Sequence, residues 1–240
     1  MLKISAYSYT NKGGREHNED SVRWSLAQDC GVFVVADGLG GHDCGEVAST
    51  LAAETIAGGC DPHAAPDGES LLELMHAANR RVLEGQMTPG QEEMKTTAVA
   101  LHLSHDRAAW AHIGDSRLYR FSGGKLAHVT RDHSVTYMKY LGGEISYMDI
   151  YHDDDRSSLL RVLGREPCSP ETGVCEVLPG DAFLLCTDGF WEFVYTEEIL
   201  IDLLKARTPE EWAKLMLLRH IRRTPTGNDN FSLITVFVEE

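Results

Sequence analysis

Several things are missing from this 240-residue sequence, and each absence removes a class of function. No stretch approaches the roughly 20 consecutive apolar residues that a membrane helix needs. The opening MLKISAYSYTNKGG lacks the apolar core of a secretory signal, so the expectation is a cytoplasmic protein with no membrane attachment. Positive charge is scarce: 22 Lys+Arg stand against 37 Asp+Glu, a formal net charge of −15. Nucleic-acid binders need cationic surface to displace phosphate counterions, so neither DNA nor RNA is an expected partner. The six cysteines (Cys30, Cys44, Cys60, Cys168, Cys175 and Cys186) contain no C-x-x-C pair and no regular spacing, which supports neither zinc nor a disulfide framework. Cys186, inside FLLCT, reads as a small buried hydrophobe, and Cys44 as filler of a glycine-rich loop rather than a redox group. A Walker-type G-x-x-x-x-G-K-[ST] loop is also absent. No internal repeat, low-complexity tract or long linker interrupts the chain. The length suits one large domain or two small ones and is ample for a sizeable core; the expectation is a single domain over residues 1–240, acting as a monomer.

What is present is a set of short strand patterns and paired helix patterns. Apolar residues at helical spacing predict helices over Glu46 to Ala57 and Glu69 to Gly85. Two more are predicted late, one from Thr196 to Ala206 with Thr196 as N-cap. The other runs from Thr208 to Arg223, with Thr208 capping, Pro209 in the first turn and Glu211 completing a capping box. Strand patterns occupy ISAYSY, Val32 to Ala36, TTAVALHL, AAWAHIG, RLYRF, LAHVT, AFLLCT and FSLITVFV. SGG between two of them reads as a hairpin turn, and LPGD as a tight turn. Many consecutive strands lie too close for helical crossovers, so much of the sheet should be antiparallel, in an α+β layered domain.

Aspartates recur at the ends of those strands. VFVVADGLGG carries Asp37, WAHIGDS carries Asp115, AFLLCTDGF carries Asp188, and Asp229 precedes FSLITVFV. One Asp-Gly is ordinary turn chemistry, with a solvated carboxylate. Four at strand ends suggest convergence instead. Converging carboxylates repel and push their pKa values up unless hard divalent cations sit among them, and Mg²⁺ and Mn²⁺ prefer such oxygen ligands. Glycine beside Asp37 lets the chain turn sharply and leaves the Gly38 carbonyl accessible as a further ligand. Two cations bridged by one carboxylate would hold a hydroxide poised for attack on a phosphoryl group. The segment GGREHNEDS adds Arg15, whose planar fork suits phosphate oxygens, next to Glu19 and Asp20. By itself that segment reads equally as a surface ion-pair cluster.

Taken in order, REHNEDS, VVADGLGGHDCGEVAS, TTAVA, AHIGDSRLYRF, VTRDHS, LLRVLG, LPGDAFLLCTDG and GNDNFSLITVFV resemble the metal-dependent type-2C serine/threonine protein phosphatases in their compact bacterial form. The resemblance runs nearly end to end. It implies a four-layer α-β-β-α sandwich, with two central antiparallel sheets flanked by helices. It also implies two Mn²⁺ or Mg²⁺ ions in a cleft at one end, and a third, weaker one. By motif, Asp37 would bridge the two core ions, the Gly38 carbonyl would bind one of them, and Asp188 and Asp229 the other. Glu19 and Asp20 would act on the metal waters, Asp115 would share the third ion with Asp188, and Arg15 would grip the substrate phosphate. Asp132, in TRDHS, matches a position with no role assigned. The implied substrates are phosphoserine and phosphothreonine proteins, targets of a serine/threonine kinase.

Two departures stand out. Many eukaryotic members place a histidine directly after the DG pair, where this chain has Leu39. The nearest imidazole in the same loop is His42, a candidate for protonating the leaving group, alongside metal-bound or bulk water. The segment 133–158 is rich in tyrosine and carries three consecutive acids, Asp153 to Asp155. It corresponds to a flap beside the cleft, read either as a solvated acidic loop or as a selector of substrates with basic residues. Two other classes are consistent with parts of the sequence: a catalytically dead phosphoprotein-binding regulator, and a hydrolase of small phosphorylated metabolites. Intact carboxylate positions argue against the first.

Overall fold

The computed structural model describes residues 2–27, 29–39 and 44–240. Its architecture follows from the strand Cys30–Leu39 (β3), rich in Val and Phe and buried over most of its length. Successive side chains of a strand point to opposite faces. Val32, Val34 and Ala36 accordingly pack with Ala48, Ala52, Ile56 and Met75 from helices. Phe33 and Val35 face the other way and meet Phe183, Leu185, Ile234 and Val236 of a second sheet. A strand covered on both faces needs no polar face, which is why this run reads as almost continuously apolar.

One sheet has the order β1 (Lys3–Asn11), β11 (Phe231–Glu239), β10 (Ala182–Cys186), β7 (Arg117–Ser122) and β8 (Lys125–Val129). The other runs β2 (Asp20–Leu26), β3, β5 (Ala98–Ser104), β6 (Arg107–Ile113) and β9 (Glu171–Glu176), with the short β4 (Lys95–Thr96) pairing the end of β3. Every one of these strand pairs is antiparallel. Helices α1 (Cys44–Gly59) and α2 (Gly68–Gly85) cover the β3 sheet. Helices α5 (Thr196–Leu203) and α6 (Pro209–Arg223) cover the other, with Ile199, Trp212 and Met216 against Tyr119, Phe121 and Leu184. The four-layer sandwich expected from the sequence is the observed fold. Each fully buried Val, Leu, Ile or Phe in its three apolar layers contributes roughly 1.5–3 kcal/mol.

The hairpin at SGG has both Gly123 and Gly124 at positive φ (57° and 71°), the backbone of a type I′ turn. Two strands have no counterpart in the sequence-based expectations. The burial pattern of β2 is mixed, and β9 (ETGVCE) is exposed or half-buried throughout, so neither carries a clear apolar alternation. Two caps also differ. Thr196 is the first helical residue of α5 rather than its N-cap, which is Tyr195. Thr208 does cap α6, its hydroxyl accepting the Glu211 N–H at 3.1 Å. Glu211, however, reaches past it to the Arg207 N–H at 2.9 Å, so the reciprocal box is displaced by one residue.

Candidate metal centre and cleft

Both sheets deliver acids to the same end of the sandwich. Asp37 sits near the end of β3, its Cα paired with that of Asp20 at the start of β2. Asp115 lies two residues beyond β6, and Asp188 opens the single turn α4 (Asp188–Trp191) two residues beyond β10. Asp229 comes two residues before β11. Oxygens of Asp37, Asp115 and Asp188 all lie within 4.8 Å of one another. A cleft of about 500 Å³ is lined by these three together with Arg15, Glu19, Gly38 and Asp229, and also by His17, Leu39, Ser157 and Asn230. Seven of the residues singled out from the sequence thus share one wall.

Asp20 is not on that wall. It lies behind it, one oxygen accepting from the Thr187 hydroxyl at 3.0 Å and the other buried with no hydrogen-bond partner. His42 lies outside the described residues. Asp132 is held elsewhere: it forms a two-point ion pair with Arg117 at 2.7 and 2.6 Å, both side chains buried. The Arg117 guanidinium stacks 3.4 Å from the Trp191 ring, and the Trp191 indole N–H donates to the Asp115 carbonyl at 2.9 Å. Asp132 therefore acts on the acid cluster indirectly, through the packing that fixes the Asp115 peptide.

Burial first, and then mutual repulsion, shifts the titration of the acids. Asp37 is pushed well above the usual carboxylate range by burial and by Asp188, Asp20 and Asp115. Asp115 is raised in the same way by burial and Asp188. Asp188 is raised by burial and Asp229. For Asp20, burial outweighs the neighbouring Ser232 and Thr187 hydroxyls, and the group is pushed up to about 7. Such carboxyls can share protons or share cations, but cannot remain ionised together in a buried site without a counter-charge. A further oxygen of Asp115 is buried with no partner. An all-oxygen donor set with such orphaned atoms fits a hard divalent cation such as Mg²⁺ or Mn²⁺ and not a soft one.

Backbone packing explains the glycines. A Cβ at Gly38 would collide with the Gly45 carbonyl at the start of α1, and one at Gly189 with the Asn230 carbonyl. Arg15 does reach the cleft, where its guanidinium makes a two-point contact with Asp229 at 3.1 and 2.9 Å. The residue expected to grip phosphate and one expected to bind metal are thus adjacent, with side chains 56% and 50% exposed.

The acidic run beside the cleft is partly neutralised within the segment. Lys139, in α3 (Val135–Leu141), binds Asp153 at 3.0 Å and Asp155 at 2.7 Å. Arg156 pairs with Glu192 at 2.9 Å, tying the segment to the turn that follows Asp188. Less charge is therefore presented to a basic substrate than the bare sequence suggests. A second cluster, His112, His133 and Glu171, also gathers ligand-type atoms. There the His133 Nδ1 accepts the Gly114 N–H at 3.1 Å, so Nε2 carries the proton, and Arg161 lies 3.3 Å from it. That arrangement opposes cation binding. Thr187, Trp191 and Asn230 were not singled out by the sequence reading, although Thr187 and Asn230 adjoin Asp188 and Asp229 in it.

Comparison with known proteins agrees with this geometry. The sequence profile described as "Protein phosphatase 2C" matches residues 11–215. The chain belongs to the protein phosphatase 2C family. It is 32% identical over 228 residues to the serine/threonine protein phosphatase PstP of Mycobacterium tuberculosis, covering 93% of this chain and 43% of that protein. This chain thus spans less than half the length of that relative. It is 30% identical over 231 residues to a serine/threonine phosphatase of Listeria welshimeri, covering 92% of this chain and 90% of that one. A crystal structure of the M. tuberculosis enzyme superposes with a TM-score of 0.89 at 29% identity over the whole of both chains. A structure of a PstP catalytic domain in complex with two manganese ions superposes at 0.87, also at 29% identity and full coverage. No helix among the described residues is long and apolar enough to cross a membrane.

Proposed function

We propose that this family member is a metal-dependent phosphoprotein phosphatase. It would act as one catalytic domain over residues 1–240, a cytoplasmic monomer that hydrolyses phosphoserine and phosphothreonine left by a serine/threonine kinase. The observation that carries the reading is a single cleft lined by Arg15, Glu19, Asp37, Asp115, Asp188 and Asp229. Divalent cations bound there would act as Lewis acids on the phosphoryl oxygens and lower the pKa of bound water.

By the family motif, Asp37 would be the ligand shared by the two core ions, and the acids Asp188, Asp20 and Asp115 all bear on its charge. The Gly38 carbonyl would complete one core site, and Asp188 and Asp229 the other. Asp115 and Asp188 would hold the third, weaker ion. Glu19, on the cleft wall, would hold the ions' waters by hydrogen bonds, and Asp20, behind the wall, could reach one only through its unpartnered oxygen. Arg15 would clamp two phosphate oxygens through its planar fork, a geometry that a lysine cannot copy. In the hydrolysis, the oxygen of water joins phosphorus, the bond from phosphorus to the serine or threonine oxygen breaks, and that oxygen takes up a proton. His42 remains a candidate donor together with solvent water. Among the described residues, His17 is the imidazole on the cleft wall.

The test is turnover of phosphothreonine and phosphotyrosine peptides, and of a panel of small phosphorylated metabolites, with and without Mn²⁺. Mn²⁺-dependent turnover of the phosphothreonine peptide in preference to the others is expected. Full activity in EDTA contradicts the metal reading, and a preference for small metabolites contradicts the protein-substrate reading.

A further inference from the structure

Asn230 follows Asp229 at the entry to β11, and its side chain is turned away from the strand ladder. It is only 6% exposed. Its Oδ1 accepts the Glu19 N–H at 2.8 Å, and its Nδ2 donates to the Lys12 and His17 carbonyls at 2.9 Å each. A carboxamide offers one acceptor group and two donor hydrogens, and here both donors and the acceptor are spent on one loop.

That loop, 12–19, lies between the end of β1 and the start of β2, so no strand ladder holds it. At its far end the Glu19 carbonyl accepts from the Ser49 hydroxyl and the Gly38 N–H, and along most of its length the loop is held by the seam with residues 227–230. The Gly14 N–H donates to the Asn228 carbonyl at 3.0 Å. A Cβ at Gly13 or Gly14 would run into the backbone of Asp229 or Gly227. Arg15 projects from this loop onto Asp229. The backbone groups that Asn230 satisfies at Lys12 and His17 belong to exposed residues. Water can take over at those two carbonyls if the carboxamide is removed, whereas the Glu19 N–H, on a half-buried residue, loses its acceptor, so the loss falls on loop geometry with a modest cost in stability.

We propose that Asn230 is a positioning residue for phosphate recognition, anchoring the 12–19 loop at three points so that the Arg15 fork faces the cleft in register with Asp229. The inference rests on the reading of Arg15 as the phosphate-binding group. A guanidinium held in place makes both of its oxygen contacts at once, whereas one on a loose loop must be ordered on every binding event.

The experiment compares wild type, Asn230→Ala, Arg15→Ala and the double variant, all loaded with Mn²⁺. It measures KM and kcat on a phosphothreonine peptide, inhibition by orthophosphate, and tryptic cleavage after Lys12 and Arg15. Asn230→Ala is expected to raise KM and the phosphate inhibition constant by about tenfold, the scale of one weakened charge-assisted contact, with kcat nearly unchanged. Cleavage after Lys12 and Arg15 should accelerate. In the Arg15→Ala background the same substitution should leave KM almost where it is, because coupled residues are not additive. Unchanged KM with a wild-type digestion pattern overturns the proposal, as does a KM effect fully additive with Arg15→Ala. If Asn230→Ala fails to fold, Gly14→Ala opens the same seam independently, and a wild-type KM in that variant overturns the proposal equally. Wild-type KM in Arg15→Ala alone overturns the reading of Arg15 itself, and that arm is read separately.

Discussion

Asp37 is the residue on which the site turns. It is flanked by Asp20 across the β2–β3 ladder, and its carboxylate lies within 4.8 Å of that of Asp188. Asp37→Asn keeps the shape of the side chain and removes its charge. It is expected to abolish Mn²⁺-dependent turnover while leaving the thermal midpoint in EDTA equal to or above that of wild type, since one member of a repelling cluster is gone. A measurable drop in that midpoint would mean that Asp37 serves packing instead. Arg15 makes a different contrast. Its pair with Asp229 is about half exposed, and ion pairs in such settings contribute little to stability. Arg15→Ala should therefore raise KM for phosphopeptide with no appreciable change in melting, and Arg15→Lys should raise it less, keeping the charge but losing the fork. Unchanged kcat and KM in Arg15→Ala would assign it to a surface pair.

At the scale of elements, the cleft depends on how closely backbones approach where strands end. β3 passes directly into the region facing the first residues of α1, with Gly38 wedged between the Gly45 and Glu19 carbonyls. The Gly38 N–H itself donates to the Glu19 carbonyl at 3.2 Å, tying β3 to the segment that carries Glu19. Gly38→Ala inserts a methyl group with backbone on two sides, and backbone cannot rotate away as a side chain can. A loss of about 1–3 kcal/mol is expected, the usual cost of overpacking, read as a lower urea midpoint. A wild-type midpoint would show that α1 can shift to make room. The turn α4 is fixed in a comparable way by the His220 ring nitrogen, 2.7 Å from the Gly189 carbonyl, so α6 steadies Asp188 from below.

For the whole molecule, acids gathered at one end link metal, proton and stability. Asp20 has its folded pKa raised from 3.8 to about 7, and Asp37, Asp115 and Asp188 are shifted the same way. The folded chain then binds more protons than the unfolded chain across that window. The stability tied to those protons is fully present below the unfolded pKa and is lost as pH rises through the folded one. In EDTA, the thermal midpoint should accordingly fall as pH rises from the unfolded value of 3.8 through the folded value of about 7 for Asp20. Protons and cations compete for the same oxygens, so the midpoint gained on adding Mn²⁺ should grow over the same range. A gain independent of pH would place the cation away from these carboxylates.

The sequence by itself determined the strong apolar strands, the four helices of the outer layers, the Asp-Gly strand ends and the order of motifs that carries the family resemblance. These are local signals: a buried strand must be apolar, a helix must repeat at its own period, and a tight turn must have glycine. Only the tertiary structure decided what those signals do together. β2 and β9 were not legible because their stability comes from ladder partners and not from an apolar alternation. The acid run of 153–155 was not legible as an internally paired segment because its counter-charge, Lys139, lies on a neighbouring turn of chain. Asp132 could not be given its place, because Arg117, Trp191 and Asp115 meet only across the packed interior. Nor could Asn230 be recognised as an anchor, since its partners at Lys12, His17 and Glu19 are more than 200 residues away in sequence and a few ångströms away in space. Periodicity records what each residue needs from its immediate neighbours. Contacts between distant segments are set by the way the layers close on one another, and no local pattern encodes that closure.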